Sequence, residues 1–472
     1  MTQPKPFRNV CEVIVANDYC IGCGVCAGIC PAHVLEMEFN DFGEYQPIEK
    51  KEGCLPKCDL CLRGCPFWNQ DDNEDTYAQV MFGTEPGIKH CRDTGYYLEC
   101  YAGYSNVDDH RVHGASGGMA TWLLETLLKE KFVDYVICVT HNPSPEKLYK
   151  FVVLNSVEEI RSASRSCYYP VELSEVIEFI LQNEGRYAII GLPCFIKGIR
   201  LAARSSVKLK RRITFLVGLV CGQMKSTYFS AYLCALKGGD PRYMNYCQFR
   251  IKDAKRDAND FGFAFNCTKG SVQSGTIFWK EGMDKVWING FFKLNACNYC
   301  DDVFAELADV VLMDAWLDRY IKDPKGTNLI LFRNSTLRDI VLNGSTEGEM
   351  HLELSTIEDV IQSQQAVINI KRNHLAHKLQ IAKVLGQKYL PEKRVKPSVF
   401  NPISLLERFL EQNVTKKSKQ VMARYGTTEG ITKLNRATSA PLYLLRLISG
   451  IRSRLKISYL LRQINRFRII KS

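Results

Sequence analysis

Eight cysteines in two runs constrain this chain before anything else in it. Cys20, Cys23, Cys26 and Cys30 stand before Pro31, and Cys54, Cys58, Cys61 and Cys65 stand before Pro66. The spacing C-x2-C-x2-C-x3-C-P holds three thiolates on a tight loop, where they reach three corners of a four-iron cubane. The fourth, just before proline, turns away to a second cluster. The runs therefore exchange their last ligands. Cys20, Cys23, Cys26 and Cys65 form one expected 4Fe-4S site, and Cys54, Cys58, Cys61 and Cys30 the other. One extra residue between Cys54 and Cys58 is a departure that a loop absorbs. Between the first ligands, Ile21, Gly22, Gly24, Val25, Ala27, Gly28 and Ile29 are small or apolar, which lets backbone N–H groups approach the sulfurs and keeps water off. Zinc ribbons also use C-x2-C pairs, but two quartets that both end x3-C-P favour iron–sulfur, whose work is to pass single electrons.

A disulfide framework fits poorly, because residues 1–10 are polar with no apolar signal core and the chain has 472 residues. Its 20 cysteines point to a reducing, cytoplasmic setting with metal use. No apolar run approaches the roughly 18 residues of a membrane span. The net charge of +11 is unevenly placed. Residues 391–472 hold 18 Lys or Arg against 4 Glu, so the tail carries +14 and the other 390 residues −3. Such asymmetry describes the tail's partner rather than a catalytic body.

The chain divides into four expected regions. Residues 1–80 are an α+β ferredoxin-like domain, with short strands around 33–37 and 45–48. The acidic stretch 71–75 reads as a linker. Residues 81–345 alternate helices with β-branched strands, the pattern of an α/β domain on a mainly parallel sheet. Expected strands cover 133–139, 187–191 and 213–220, expected helices 119–128, 171–181, 196–203 and 226–236, and a β-rich stretch 247–287. Residues 346–395 form a helical extension and 396–472 a basic, amphipathic helical tail.

A second constellation falls where strands should end. Cys194 follows Gly191-Leu192-Pro193, Cys221 follows Gly218-Leu219-Val220, and Cys297 and Cys300 form a C-x2-C pair. Open α/β sheets gather ligands at the carboxyl ends of their strands, so these four are a candidate third 4Fe-4S site. The alternatives are buried small side chains for Cys194 and Cys221, with a redox pair or half a zinc site at Cys297 and Cys300. Gly114, Ser116, Gly117 and Gly118 precede an expected helix, where unpaired N–H groups can receive a phosphate. Ser164, Arg165, Ser166 and Tyr168 form a second polar loop before a helix.

Taken together, these elements resemble the beta subunit of the coenzyme F420 (deazaflavin) hydrogenases and dehydrogenases. Matching residues include the double cysteine run, Ser116-Gly117-Gly118, Val133-Asp134, Ser166 with Tyr168 and Pro170, Gly191-Leu192-Pro193-Cys194 and Gly218 with Cys221-Gly222. They continue with Phe249-Arg250, Cys297-x2-Cys300-Asp301, Ala308-Asp309, Asp314-Ala315-Trp316 and Gly326-Thr327, so that the resemblance spans about residues 15–345. Met313 departs from it, standing where the family has glycine.

The resemblance implies FAD beside iron–sulfur clusters. FAD would lie against Gly114, Ser116, Gly117, Gly118, Ser164, Ser166 and Tyr168. It implies electrons from a ferredoxin-like redox protein passing through the clusters to FAD and then to a small-molecule substrate. Bacterial relatives point to surface-polysaccharide metabolism; the alternative is an electron-transfer subunit reducing coenzyme F420. His113, Tyr168 and Arg250 are the candidates for protonating or binding the substrate, and Arg250 has Asp314 as an alternative partner. For the basic tail the candidates are an anionic membrane surface, which would make the protein peripheral there, a protein partner, or solvent. Nucleic acid is least favoured, because no binding fold accompanies the charge.

Overall fold

The computed structural model describes residues 9–50, 53–69, 73–163, 165–398 and 402–469, with backbone alone for 428 and 453–469. Its centre is an eight-stranded sheet. In chain order the strands are β1 (Cys100–Ser105), β2 (Tyr135–Ser144), β3 (Lys147–Leu154), β4 (Tyr187–Gly191), β5 (Ile213–Leu219), β6 (Val310–Asp314), β7 (Asn328–Phe332) and β8 (Met350–Ser355). Across the sheet they run β8-β1-β7-β6-β5-β4-β2-β3. The expected mainly parallel sheet is corrected to a mixed one. Pairings β2–β4, β4–β5 and β5–β6 are parallel, while β2–β3, β6–β7, β7–β1 and β1–β8 are antiparallel. The reason is connection length: β2 and β3 are joined by the tight turn between Ser144 and Lys147, and only antiparallel strands can be joined so. β8 falls in the stretch expected to be helical; it is an edge strand, with Leu354 exposed.

Alternation of side chains supplies two cores. Ile137, Ile189, Leu216, Val311 and Leu329 face one layer, and Val136, Ala188, Val217, Leu312 and Ile330 the other. Helix α1 (Met119–Lys129) covers the second face through Trp122, Leu123 and Leu127. The first face is covered by α2 (Ser174–Gln182), α3 (Pro193–Ser205) and α4 (Tyr228–Leu236). α3 opens with Pro193 at its first position, where a missing N–H costs nothing.

The cysteine runs carry a two-stranded antiparallel sheet (Leu35–Phe39 with Tyr45–Glu49) and two one-turn helices, Val25–Gly28 and Leu60–Arg63. This unit is packed into the first core rather than tethered to it. Cys23 O accepts from Leu173 N at 2.9 Å, and Val25 and Cys26 share a core with Ile177 and Phe195. At Gly24 (φ 76°) a Cβ would lie 2.7 Å from Leu173 N, so glycine is required there by both conformation and contact. The linker reading of the acidic stretch is overturned for 73–75. Asn73 caps the helix Glu74–Phe82 with a capping box, and buried Glu74 pairs with Lys197 at 2.8 Å.

Helices α5 (Ile357–Lys371) and α6 (Asn373–Val384) follow the sheet. Helix Pro402–Ile469 breaks at Gly426 (φ 65°, ψ −176°) into two arms. The first arm docks on the body: Thr415 Oγ1 donates to Gly290 O at 2.9 Å, Ser418 Oγ accepts from Phe292 N at 2.9 Å, and Lys419 pairs with buried Glu44 at 2.7 Å. That part of the tail is therefore packed rather than solvated.

Candidate functional site

Each expected N-terminal quartet lines its own small internal cavity. One is walled by Cys20, Cys23, Cys26 and Cys65 with Val10, Ile14, Ile21, Met37 and Phe67; the other by Cys30, Cys54, Cys58 and Cys61 with Val34, Leu35 and Leu60. The exchange of last ligands, Cys65 to the first and Cys30 to the second, is the one that the spacing requires. Gly22 N donates to Cys20 Sγ at 3.3 Å. Burial pushes the Cys23 thiol up to about 12 and Cys65 up to about 11; a bound metal would reverse this, since coordination deprotonates a thiol outright. Among the described residues no three His, Cys, Asp or Glu side chains close on one point as they would around a single ion.

Cys194, Cys221, Cys297 and Cys300 also converge. Burial first, and then the thiols of Cys300, Cys221 and Cys297, oppose ionisation of Cys194, and Cys23 of the first quartet contributes too. Cys194 lies in the first turn of α3 after β4, and Cys221 follows β5, its neighbour in register Gly191↔Gly218. Cys297 sits in the 3-10 turn Asn295–Tyr299. Two donors point at these sulfurs: Met224 N to Cys297 Sγ at 3.2 Å, and buried Lys371 Nζ to Cys300 Sγ at 3.0 Å. Lys371 was not singled out in the sequence, because a lysine ending a charged helix carries no such signal.

The large cavity of about 500 Å³ opens beside this quartet and has the size of a cofactor site. Cys221 lines it, as do Gly114, Ser116 and Gly118 before α1, and Arg165, Ser166 and Tyr168 on the second loop. Gly117 is not on the wall; a Cβ there would meet Gly103 O at 2.7 Å, so its smallness serves the packing against β1. Ser164 lies outside the described residues. Tyr168 stacks obliquely on Trp287 at 4.9 Å, and burial raises its phenol. Arg250 is engaged by Asp314, Nη1 to Oδ2 at 3.0 Å, and by Ala115 O at 3.0 Å. Of its two expected roles it therefore takes the pairing. His113 is half exposed beside Asp109 and Arg165, and is not on the wall. Met313 is buried in the wall where backbone approach was expected. Two buried atoms of wall residues, Asn259 Oδ1 and Arg250 Nε, have no partner among the described residues. One accepts and one donates, so a ligand in this polar and aromatic cavity would find an oriented group of each kind.

This frame of sheet, cysteines and cavity is that of a redox protein built on a mixed α/β sheet. Two family models described as coenzyme F420 hydrogenase/dehydrogenase beta subunit, N-term and C terminus, match residues 100–178 and 184–359, together over half of the chain. The chain belongs to that family. The C-terminal match contains Cys194, Cys221, Cys297 and Cys300, whereas both N-terminal cysteine runs lie outside the matched residues.

A subunit of the F420H2 dehydrogenase of Methanosarcina mazei is 21% identical over 332 residues, 66% of this chain and 82% of that protein. Coenzyme F420-dependent sulfite reductase of Methanocaldococcus jannaschii is 22% identical over 374 residues, 74% of this chain but 49% of that protein, so the chain spans about half its length. A chain of the F420-reducing NiFe hydrogenase complex from Methanosarcina barkeri overlays at 17% identity with a TM-score of 0.49, covering 65% of this chain and 99% of that one.

Proposed function

We propose that this chain is an FAD-dependent iron–sulfur oxidoreductase that takes electrons from a ferredoxin-like protein and delivers them to a small-molecule substrate. The placement of the sulfur groups carries this reading. Cys61 of the second quartet, Cys23 and Cys26 of the first and Cys297 of the third belong to one buried core, and Cys221 of the third lines the large cavity. When bound, the clusters and the flavin would supply one-electron carriage and its conversion to two-electron chemistry.

Twelve cysteines would hold the clusters: Cys20, Cys23, Cys26 and Cys65; Cys30, Cys54, Cys58 and Cys61; Cys194, Cys221, Cys297 and Cys300. Lys371 and Met224 N place donors on the sulfurs of the third quartet. Gly114, Ser116, Gly118, Ser166 and Tyr168 would bind FAD, with Trp279 and Trp287 excluding water. Arg250, fixed by Asp314, presents its Nε as an oriented donor.

Anaerobic purification with iron, sulfide and released flavin counted per chain tests the reading. About twelve irons and one FAD are expected for three four-iron clusters. About eight irons would demote the third quartet to a structural role, and iron without flavin would leave only an electron carrier. The names of these two relatives favour a second reading, a subunit that exchanges electrons with coenzyme F420, in whichever direction its partners set. Reduction of F420 by the dithionite-reduced protein would select it; turnover of surface-polysaccharide precursors without F420 reduction would select the first.

A further inference from the structure

The two arms of the C-terminal helix lie antiparallel. Arg452 Nη2 donates to Ser404 Oγ at 2.6 Å, Arg452 pairs with Glu407 at 2.8 Å, and Lys417 Nζ reaches Ala437 O at 3.3 Å. The inner side packs on the body through Val414, Met422 and Leu434. The open end does the opposite. Ile403, Leu406 and Phe409 on the first arm, and Tyr443, Leu444, Leu447 and Ile451 on the second, are each 44–62% exposed. The antiparallel pairing brings both groups to the same end of the hairpin. Apolar side chains gathered in this way mark an interaction surface rather than scattered exposure.

Charge identifies what the surface meets. After Glu429 the chain has ten Lys or Arg and no Asp or Glu, Arg446 being exposed within the patch. On the first arm Glu407 is paired with Arg452 and Glu411 with Arg408, so the charge left to meet a partner is positive, which suits a surface of negative headgroups over hydrocarbon. Among the described residues no helix is long and apolar enough to cross a membrane. We infer that the open end of the C-terminal hairpin docks on an anionic lipid bilayer, apolar side chains entering the headgroup layer and the cations meeting lipid phosphates. None of these exposed side chains lines a cysteine cavity, and the inference does not depend on what the quartets carry.

Flotation of the intact protein with phosphatidylcholine vesicles, with and without phosphatidylglycerol, tests this. Partition into the anionic vesicles should be tighter by roughly tenfold or more at low salt and fall at high salt. Phe409→Asp with Leu447→Asp should abolish it while iron content and circular dichroism stay unchanged. Arg446→Glu, which leaves the apolar face intact, should weaken the anionic preference. No partition, equal partition into both vesicles, or retention by the double variant would overturn the proposal. So would self-association or a stable protein complex lost in that variant without lipid binding, which would make the patch a protein interface.

Discussion

A buried ammonium stands beside a thiol of the third cysteine quartet. Lys371 Nζ donates to Cys300 Sγ and to Asp302 O at 2.9 Å, and the neighbouring thiols favour its charged form, against burial. A donor to a ligand sulfur stabilises the more negative, reduced cluster. Lys371→Met should lower one midpoint potential by on the order of 60 mV, the one-electron equivalent of a charge-assisted bond of about 1.4 kcal/mol. A redox titration followed by electron paramagnetic resonance reads it; an unchanged set of potentials would separate Lys371 from any cluster.

Lys252 has a different environment. Its Nζ donates to the carbonyls of Arg111, Ser116 (2.6 Å) and Lys325 (2.6 Å), holding the turn before α1. Burial, and then the positive Arg250, push its ammonium down to about 7. The folded state therefore binds fewer protons than the unfolded one between pH 7 and the ordinary lysine range. Stability should rise with pH across that window, at most by about 1.4 kcal/mol per pH unit for one proton. The difference in melting temperature between the native protein and Lys252→Met, followed from pH 7 to 10, should shift in that direction.

Among the elements, the start of α1 shows how one glycine ties the cavity wall to the turn at His110. Gly118 has φ 78°, and a Cβ there would lie 2.6 Å from His110 O. Gly118→Ala should cost about 1–3 kcal/mol in a denaturant titration and displace the Ser116 wall of the cavity. The glycines before this helix were legible as a tight turn; that Gly117 faces β1 and Gly118 the cavity was not, since both read alike in sequence. β8 was legible but not read: Met350, Leu352 and Leu354 alternate with His351, Glu353 and Ser355, the period of a half-buried strand, within a stretch expected to be helical. Asn73 could have been read as a cap, but the surrounding acidic residues concealed a helix whose Glu74 finds Lys197, 123 residues away.

Across the whole molecule, the segment after α6 straps the cysteine-rich unit to the sheet domain. Tyr389 Oη donates to Phe67 O at 2.8 Å and accepts from Asn69 N at 2.9 Å. Arg394 joins Asp75 (2.6 Å) to Glu306 (2.6 Å) and Asp301 (3.4 Å). Asp301 is buried and loses its cation in Arg394→Met, while Glu306 keeps Arg372 at 3.0 Å, so the substitution should cost about 3–5 kcal/mol. Cleavage by protease between the cysteine-rich unit and the sheet should appear in that variant first; resistance equal to the native protein would remove the strap from the account.

The sequence by itself determined which cysteines share a cavity, because ligand spacing is local geometry and the exchanged fourth cysteine follows from the prolines after Cys30 and Cys65. It also placed Cys194 and Cys221 after strand ends, because β-branched runs are readable over a few residues; that the two strands are neighbours came from the sheet. Tertiary structure decided the rest. Sheet direction beyond the central strands, the docking of the cysteine-rich unit at Gly24, the pairing of Arg250 with Asp314, the lysine on Cys300 and the folding back of the basic tail all depend on partners distant in sequence. Burial chooses those partners: a charge taken out of water must find its counterpart wherever the chain has brought it, and no local pattern records that choice.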